Sequence, residues 1–174
     1  NLAAAAAAAT ELGVDAGAIA HAVAEFSGVP ARQEYLGSVN GVRVYNDTTA
    51  TIPQATLAAL DTIPGPWVLV VGGSDKRVEF NALADRLRVD PQLRALVLLP
   101  GAGTDRLRER LGSADAIEAA SMASAVGFAF GAARPDDAIV LSPACASFGL
   151  FMNEFDRGEQ FVAEVRRHGS LAPG

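Results

Sequence analysis

Short apolar runs without one polar position alternate along this chain with segments whose apolar residues return at helical spacing, and few folds accommodate that alternation. Val68-Leu69-Val70-Val71 and Leu96-Val97-Leu98-Leu99 leave neither face of a strand fit for water. Strands of this kind belong in a mainly parallel sheet covered by helices on both sides. Strands are expected at 67–71, 95–99 and 138–141, with a weaker one at 116–119. Helices are expected near 80–88, 104–111 and 122–132, and a last one near 157–168. Phe80, Leu83 and Leu87, and again Met122, Val126 and Phe130, each make a single stripe for burial against the sheet. The fold class that follows is α/β: a doubly wound, Rossmann-like sheet flanked by helices.

Upstream of this alternation the pattern changes. Residues 2–12 are dominated by alanine, the strongest helix former, and Gly13 is placed to end that helix. A second helix is expected from an N-cap at Asp15 to Phe26, with Ile19, Val23 and Phe26 on one stripe, before Ser27-Gly28-Val29-Pro30 breaks it. Segments 34–39 and 42–45 flank Asn40-Gly41, the pair best suited to a type I′ hairpin turn. A domain boundary is placed here, with residues 1–33 as the end of a truncated upstream domain and 34–174 as a domain of their own. The chain starts at Asn1 without methionine and enters a helix at once, so further domains are expected upstream. Past the hairpin, Pro53 suits the first turn of a helix running to Asp61.

With 174 residues, half of them hydrophobic, the chain can bury one good core and a small appendage. A net charge of −6, a pI near 4.8 and the lack of clustered Lys and Arg argue against a nucleic-acid backbone as partner. The single cysteine, Cys145, cannot form an internal disulfide, which makes a reducing compartment, the cytoplasm, the expected setting. No run of about eighteen apolar residues suggests a membrane span.

Three small, polar segments directly follow apolar runs: Asn46-Asp47-Thr48-Thr49-Ala50-Thr51, Gly72-Gly73-Ser74-Asp75-Lys76 and Ser142-Pro143-Ala144-Cys145-Ala146-Ser147. In an open α/β sheet, loops leaving the carboxyl ends of strands converge on one crevice that can hold a charged ligand. Lys76 is the only lysine among fourteen basic residues and stands in the glycine-rich loop. A lysine there offers a compact point charge to a carboxylate or phosphate. That loop lacks both G-x-x-x-x-G-K-[ST] and G-x-G-x-x-G spacing, so it is no autonomous phosphate loop, and a plain tight turn is its bland reading.

Asp47, Thr48, Thr49 and Thr51 bring one carboxylate and three hydroxyls to a helix start, where free N–H groups favour anions; alternatively, Thr51 simply caps the helix opening at Pro53. In the third segment no G-x-S-x-G elbow supports a nucleophile, and His21 and His168 make a poor base set. Cys145 reads as a small buried hydrophobe. No Cys/His cluster has zinc spacing, so any metal would be an oxygen-bound cation such as Mg2+.

Taken in order, Asn46 to Pro53, Gly72 to Lys76 and Leu141 to Phe148 closely resemble the N-D-S-K-A-T, G-G-x-D-K and L-S-P-A-C-A-S signatures of the C-terminal domain of the Mur ligases, its glutamate-adding branch above all. Phe151-Met152-Asn153-Glu154-Phe155-Asp156-Arg157-Gly158-Glu159-Gln160-Phe161 is similar to that family's F-x-N-F-E-x-R-G-x-x-F. Asn1, the alanine-rich helix and Gly28-Val29-Pro30-Ala31-Arg32 resemble the end of its central ATPase domain, so the resemblance covers essentially the whole chain.

The resemblance implies a three-domain, ATP-dependent ligase of peptidoglycan precursor synthesis. Such an enzyme phosphorylates the carboxylate of UDP-N-acetylmuramoyl-L-alanine, and the amino group of glutamate attacks the acyl phosphate. By position, Thr51, Lys76 and Ser147 would bind the glutamate carboxylates, with Phe148 and Asn153 beside them. Arg32 and Asp47 would face ATP, and Asn1 would approach the adenine side. The family's phosphate loop and Mg2+ ligands are expected upstream of Asn1, so this stretch alone should not catalyse. A monomer with no nucleic-acid or membrane partner is expected.

Three positions depart from the family pattern. Thr49 stands where lysine is usual, Ala31 replaces a histidine that commonly precedes Arg32, and Asn153-Glu154-Phe155 inverts the N-F-E order. The first two bear on nucleotide contacts and the third on the amino-acid pocket, which leaves D- or L-glutamate open. A sibling ligase such as folylpolyglutamate synthase is disfavoured by the absence of its D-x-A-H-N-P type motif. A non-catalytic small-anion-binding module of the same fold stays as the reading from another class.

Overall fold

The computed structural model describes residues 2–172; Asn1, expected beside adenine, lies outside the described residues. The strands are β1 (Glu34–Val39), β2 (Val42–Asn46), β3 (Trp67–Gly72), β4 (Leu93–Leu99), β5 (Ile117–Glu118) and β6 (Ala138–Leu141). The helices are α1 (Leu2–Glu11), α2 (Ala16–Glu25), α3 (Pro53–Thr62), α4 (Asn81–Val89), α5 (Ala102–Leu111), α6 (Met122–Ala132) and α7 (Glu154–His168). One sheet runs in the order β1-β2-β6-β3-β4-β5, parallel throughout except for the β1–β2 hairpin. The α/β class and the doubly wound topology expected from the alternation are both present.

Strand periodicity explains why both faces are apolar. Trp67, Leu69 and Val71, with Leu96, Leu98 and Val140, point to the side covered by α3, α4 and α5. Val68 and Val70, with Val97, Leu99, Ile139 and Leu141, point to the side covered by α6 and α7. Successive side chains leave a strand on opposite faces, so an unbroken apolar run is what a doubly covered strand needs. Leu83 and Leu87 of α4 and Met122 and Val126 of α6 are buried as the stripes required, and Phe80 is buried at the N-cap of α4. The hairpin turns through Asn40 at φ 52° and Gly41 at φ 80°, the left-handed pair of a type I′ turn.

α1 and α2 contain no buried residue, and Val23 and Phe26 remain 42% and 46% exposed. The Asp15 side chain caps α2 as expected, accepting from the amides of Gly17 and Ala18. Several boundaries move, among them the starts of β4 at Leu93 and of α5 at Ala102, each two residues earlier than expected. The weak strand shrinks to Ile117–Glu118, at the sheet edge, and α7 begins three residues earlier than expected because the Asn153 side chain accepts from the amides of Phe155 and Asp156.

The connection β6–α7 closes the carboxyl edge of the sheet. α7 approaches the loop after β2 so tightly that a Cβ on Gly158 would stand 2.7 Å from Thr48 Cγ2 and 3.2 Å from Asn46 Nδ2. Gly158→Ala is therefore expected to push α7 outwards and cost about 1–3 kcal/mol, the usual penalty of overpacking. Urea unfolding of the variant checks this, and an unchanged midpoint would refute the tight packing.

Candidate functional site

The three polar loops leave the carboxyl ends of β2, β3 and β6, adjacent strands around the point where β6 returns between β2 and β3. Open α/β sheets form a ligand crevice at such a switch point. Here the loops after β3 and β6 are knitted together by backbone. Ser74 and Ala146 exchange N–H···O bonds of 2.8 and 3.1 Å, and the amide of Gly72 donates to Pro143 O at 2.8 Å. Gly73 must be glycine: with φ at 141°, a Cβ would sit 2.3 Å from Ala146 O. Asp75 is held by the Arg77 amide at 2.7 Å and by Arg106 Nη1 at 2.8 Å, so its charge is spent on shaping the loop.

Lys76 and Thr51 come together: Nζ donates to Thr51 Oγ1 at 2.8 Å. Lys76 is exposed and has no carboxylate partner among the described residues, so its charge is available to a ligand. This also corrects one local reading. Thr51 does not cap α3, whose N-cap is Ile52 without a side-chain bond; Pro53 at the first position has no N–H to satisfy, and the hydroxyl serves Lys76 instead. Ser147, next in sequence to the Ser74–Ala146 bridge, is buried, Ser74 Oγ donates to the Phe148 carbonyl, and Phe148 is 64% exposed. Asn153 uses its side-chain oxygen to cap α7.

Asp47 lies deeper. It is 3% exposed, with Oδ2 accepting from Ser142 Oγ at 2.7 Å and Oδ1 from the Gln33 amide at 3.1 Å. Burial raises its pKa above the ordinary carboxylate value, against the lowering effects of the Ser142 hydroxyl, the Gln33 amide and the nearby charge of Arg32. Arg32 itself is exposed on the turn before β1. Cys145 is a buried thiol pushed up to about 12 by desolvation, and so is inert at neutral pH.

Sequence reasoning places Arg157 in a motif without a role, yet it is the side chain that joins the loops after β2 and β6. It is fully buried, and Nε donates to Thr48 Oγ1 at 3.0 Å, Nη2 to Thr48 O at 2.7 Å and Nη1 to Cys145 O at 3.0 Å. Burial lowers its pKa to about 10, which keeps it charged at neutral pH. The signal was present: Arg157, Phe161 and Val165 fall at i, i+4 and i+8, on the buried face of α7.

Residues 31–145 match the family model of the glutamate ligase domain of the Mur ligases. The chain belongs to the Mur ligase family. It is 43% identical over 171 residues to the UDP-N-acetylmuramoylalanine–D-glutamate ligase of Roseiflexus sp. strain RS-1, a match covering 92% of this chain and 35% of that protein. The like-named protein of Solibacter usitatus is 41% identical over 162 residues, covering 92% of this chain and 36% of its own. This Mur ligase chain thus spans about a third of the length of the curated relatives it matches. Among solved structures, the MurF ligase from Thermotoga maritima in complex with ADP superposes with a TM-score of 0.64 at 17% identity, covering 93% of this chain and 36% of that one, and shares the fold.

Two buried charges of this Mur ligase domain respond oppositely to removal. Arg157→Met strands two backbone carbonyls, each costing roughly 1–3 kcal/mol, and is expected to destabilise by about 2–4 kcal/mol in urea unfolding after relief of the buried charge. Asp47→Asn is expected to match or exceed the native melting temperature at pH 7, because the Asn amide can donate to Ser142 Oγ while that hydroxyl turns to Thr56 Oγ1, 3.0 Å away. A folded-state pKa raised for an acid means stability falls as pH rises through it, so the advantage of Asp47→Asn should shrink as pH is lowered through that value. A clear loss of stability at pH 7 would contradict the burial cost.

Proposed function

We propose that this chain is the amino-acid-binding part of an ATP-dependent ligase of peptidoglycan precursor synthesis, which joins D-glutamate to UDP-N-acetylmuramoyl-L-alanine through an acyl phosphate. The observation that carries it is the Lys76–Thr51 pair: an unneutralised ammonium at 2.8 Å from a hydroxyl, where the loops after β2 and β3 meet beside the switch point. Glutamate brings two carboxylates, and one lysine with several hydroxyl donors is the set that would fix them by charge-assisted hydrogen bonds. That the relatives are named as D-glutamate ligases supports the D enantiomer.

In this reading Lys76, Thr51 and Ser147 hold the glutamate carboxylates, with Phe148 and Asn153 at the edge of the pocket. Immobilised there, the amine is aimed at the acyl phosphate carbon; its nitrogen forms the amide bond, phosphate leaves, and the ammonium protons pass to solvent or base. Arg32 and Asp47 face the nucleotide. The donor set suits a polyphosphate, because Arg32 is an exposed guanidinium without an ion-pair partner among the described residues. The relative solved with ADP supports nucleotide use. Mg2+ would travel with the nucleotide, and its ligands are assigned to the part of the protein outside this chain. Residues 1–33 are read as the end of the ATPase domain, which accounts for two helices without a buried residue. No helix among the described residues is long and apolar enough to cross a membrane, and a monomer working in the cytoplasm fits this reading.

The test is ADP release by the full-length protein with UDP-N-acetylmuramoyl-L-alanine and Mg·ATP, comparing D-glutamate, L-glutamate and no amino acid. Stimulation by D-glutamate alone is expected; stimulation by neither would overturn the ligase reading. Lys76→Ala in the same protein should raise the glutamate KM about ten- to a hundred-fold, for a lost contact of roughly 1.5–3 kcal/mol, with the ATP KM nearly unchanged.

A further inference from the structure

Two of the positions at which the chain departs from its family pattern touch each other. Thr49 donates twice to one acceptor, the carbonyl of Ala31: through its amide at 3.2 Å and through Oγ1 at 2.9 Å. Ala31 and Gln33 both hold left-handed backbone, at φ 62° and 46°, which L-residues adopt only when their surroundings impose it. The Ala31 amide donates to Glu34 Oε2 at 2.8 Å, the Arg32 amide to Val29 O at 3.1 Å, and the Gln33 amide to Asp47 Oδ1 at 3.1 Å. Between the two left-handed residues stands Arg32, exposed beside a groove of about 400 Å3 lined with Pro30, Gln33 and Glu34.

The side-chain anchors from the loop after β2 to this turn are therefore Asp47 and Thr49, and only Thr49 reaches the residue immediately before Arg32. We propose that Thr49 is a positioning residue: its hydroxyl bond to Ala31 holds the left-handed turn that presents the Arg32 guanidinium to the nucleotide. The inference rests on the ligase reading above, in which Arg32 faces ATP.

Steady-state kinetics of the full-length protein separate the two ideas. Thr49→Val keeps the shape and deletes the hydroxyl; it should raise the ATP KM about three- to ten-fold and leave the glutamate KM unchanged. Thr49→Ala should do the same, and Thr49→Ser, which keeps the hydroxyl, should restore the native value. Arg32→Ala should raise the ATP KM on its own, and adding Thr49→Val to it should have no further effect, because the hydroxyl acts through that arginine. A native ATP KM in both Thr49→Val and Thr49→Ala overturns the positioning role, as does an undiminished effect of Thr49→Val in the Arg32→Ala background, which would mark a purely structural part. A native protein that releases no ADP in response to glutamate overturns the ligase reading, and this inference with it.

Discussion

A buried guanidinium with no ion-pair partner among the described residues holds this site together. Arg157 spends its donors on the hydroxyl and carbonyl of Thr48 and on the carbonyl of Cys145, so one side chain on α7 fixes the loop after β2 against the loop after β6. A charged group in that position is expensive to desolvate, and its planar fork is the reason arginine serves where lysine would not: diverging donors reach two loops at once. Gly158, the next residue, lets α7 come close enough for those bonds to form.

With the loops after β2 and β6 clamped, the glycine loop after β3 has little freedom. The Ser74–Ala146 bridge ties the glycine loop to the β6 loop, and the Gly73 amide donates to Thr104 Oγ1 at 2.9 Å. Lys76 then emerges at the rim with its ammonium on Thr51. The arrangement is polarised in cost. Asp47, buried and held by Ser142 and Gln33, pays in stability for a carboxylate placed in advance, whereas Lys76 keeps its charge in water until a ligand arrives. Preorganised groups of this kind shift the ordering cost from binding to folding.

Much of this is legible in the sequence alone. The unbroken runs 68–71 and 96–99 announced strands covered on both sides, and Asn40-Gly41 announced the hairpin, because each depends on local chemistry: alternation of side chains in one case, left-handed backbone in the other. The start of α7 was misjudged because its cap is a single asparagine in an irregular stretch. Thr51 shows a subtler limit. A threonine before a Pro-initiated helix has a plausible local use as a cap, and only the position of Lys76, 25 residues away in sequence, gives its hydroxyl another.

The sequence by itself determined the class of sheet, the order of strands and helices, the three polar loops and the family, since all of these are written in runs and motifs of contiguous residues. Tertiary structure alone decided which loops meet, that Arg157 is their clamp, that Asp47 is buried while Lys76 is not, and that Thr49 answers to Ala31. The physical reason is range. Periodicity and turn chemistry act over a few residues, whereas hydrogen bonds and desolvation join groups 12 to 109 positions apart only after the sheet has fixed the strand ends that carry them.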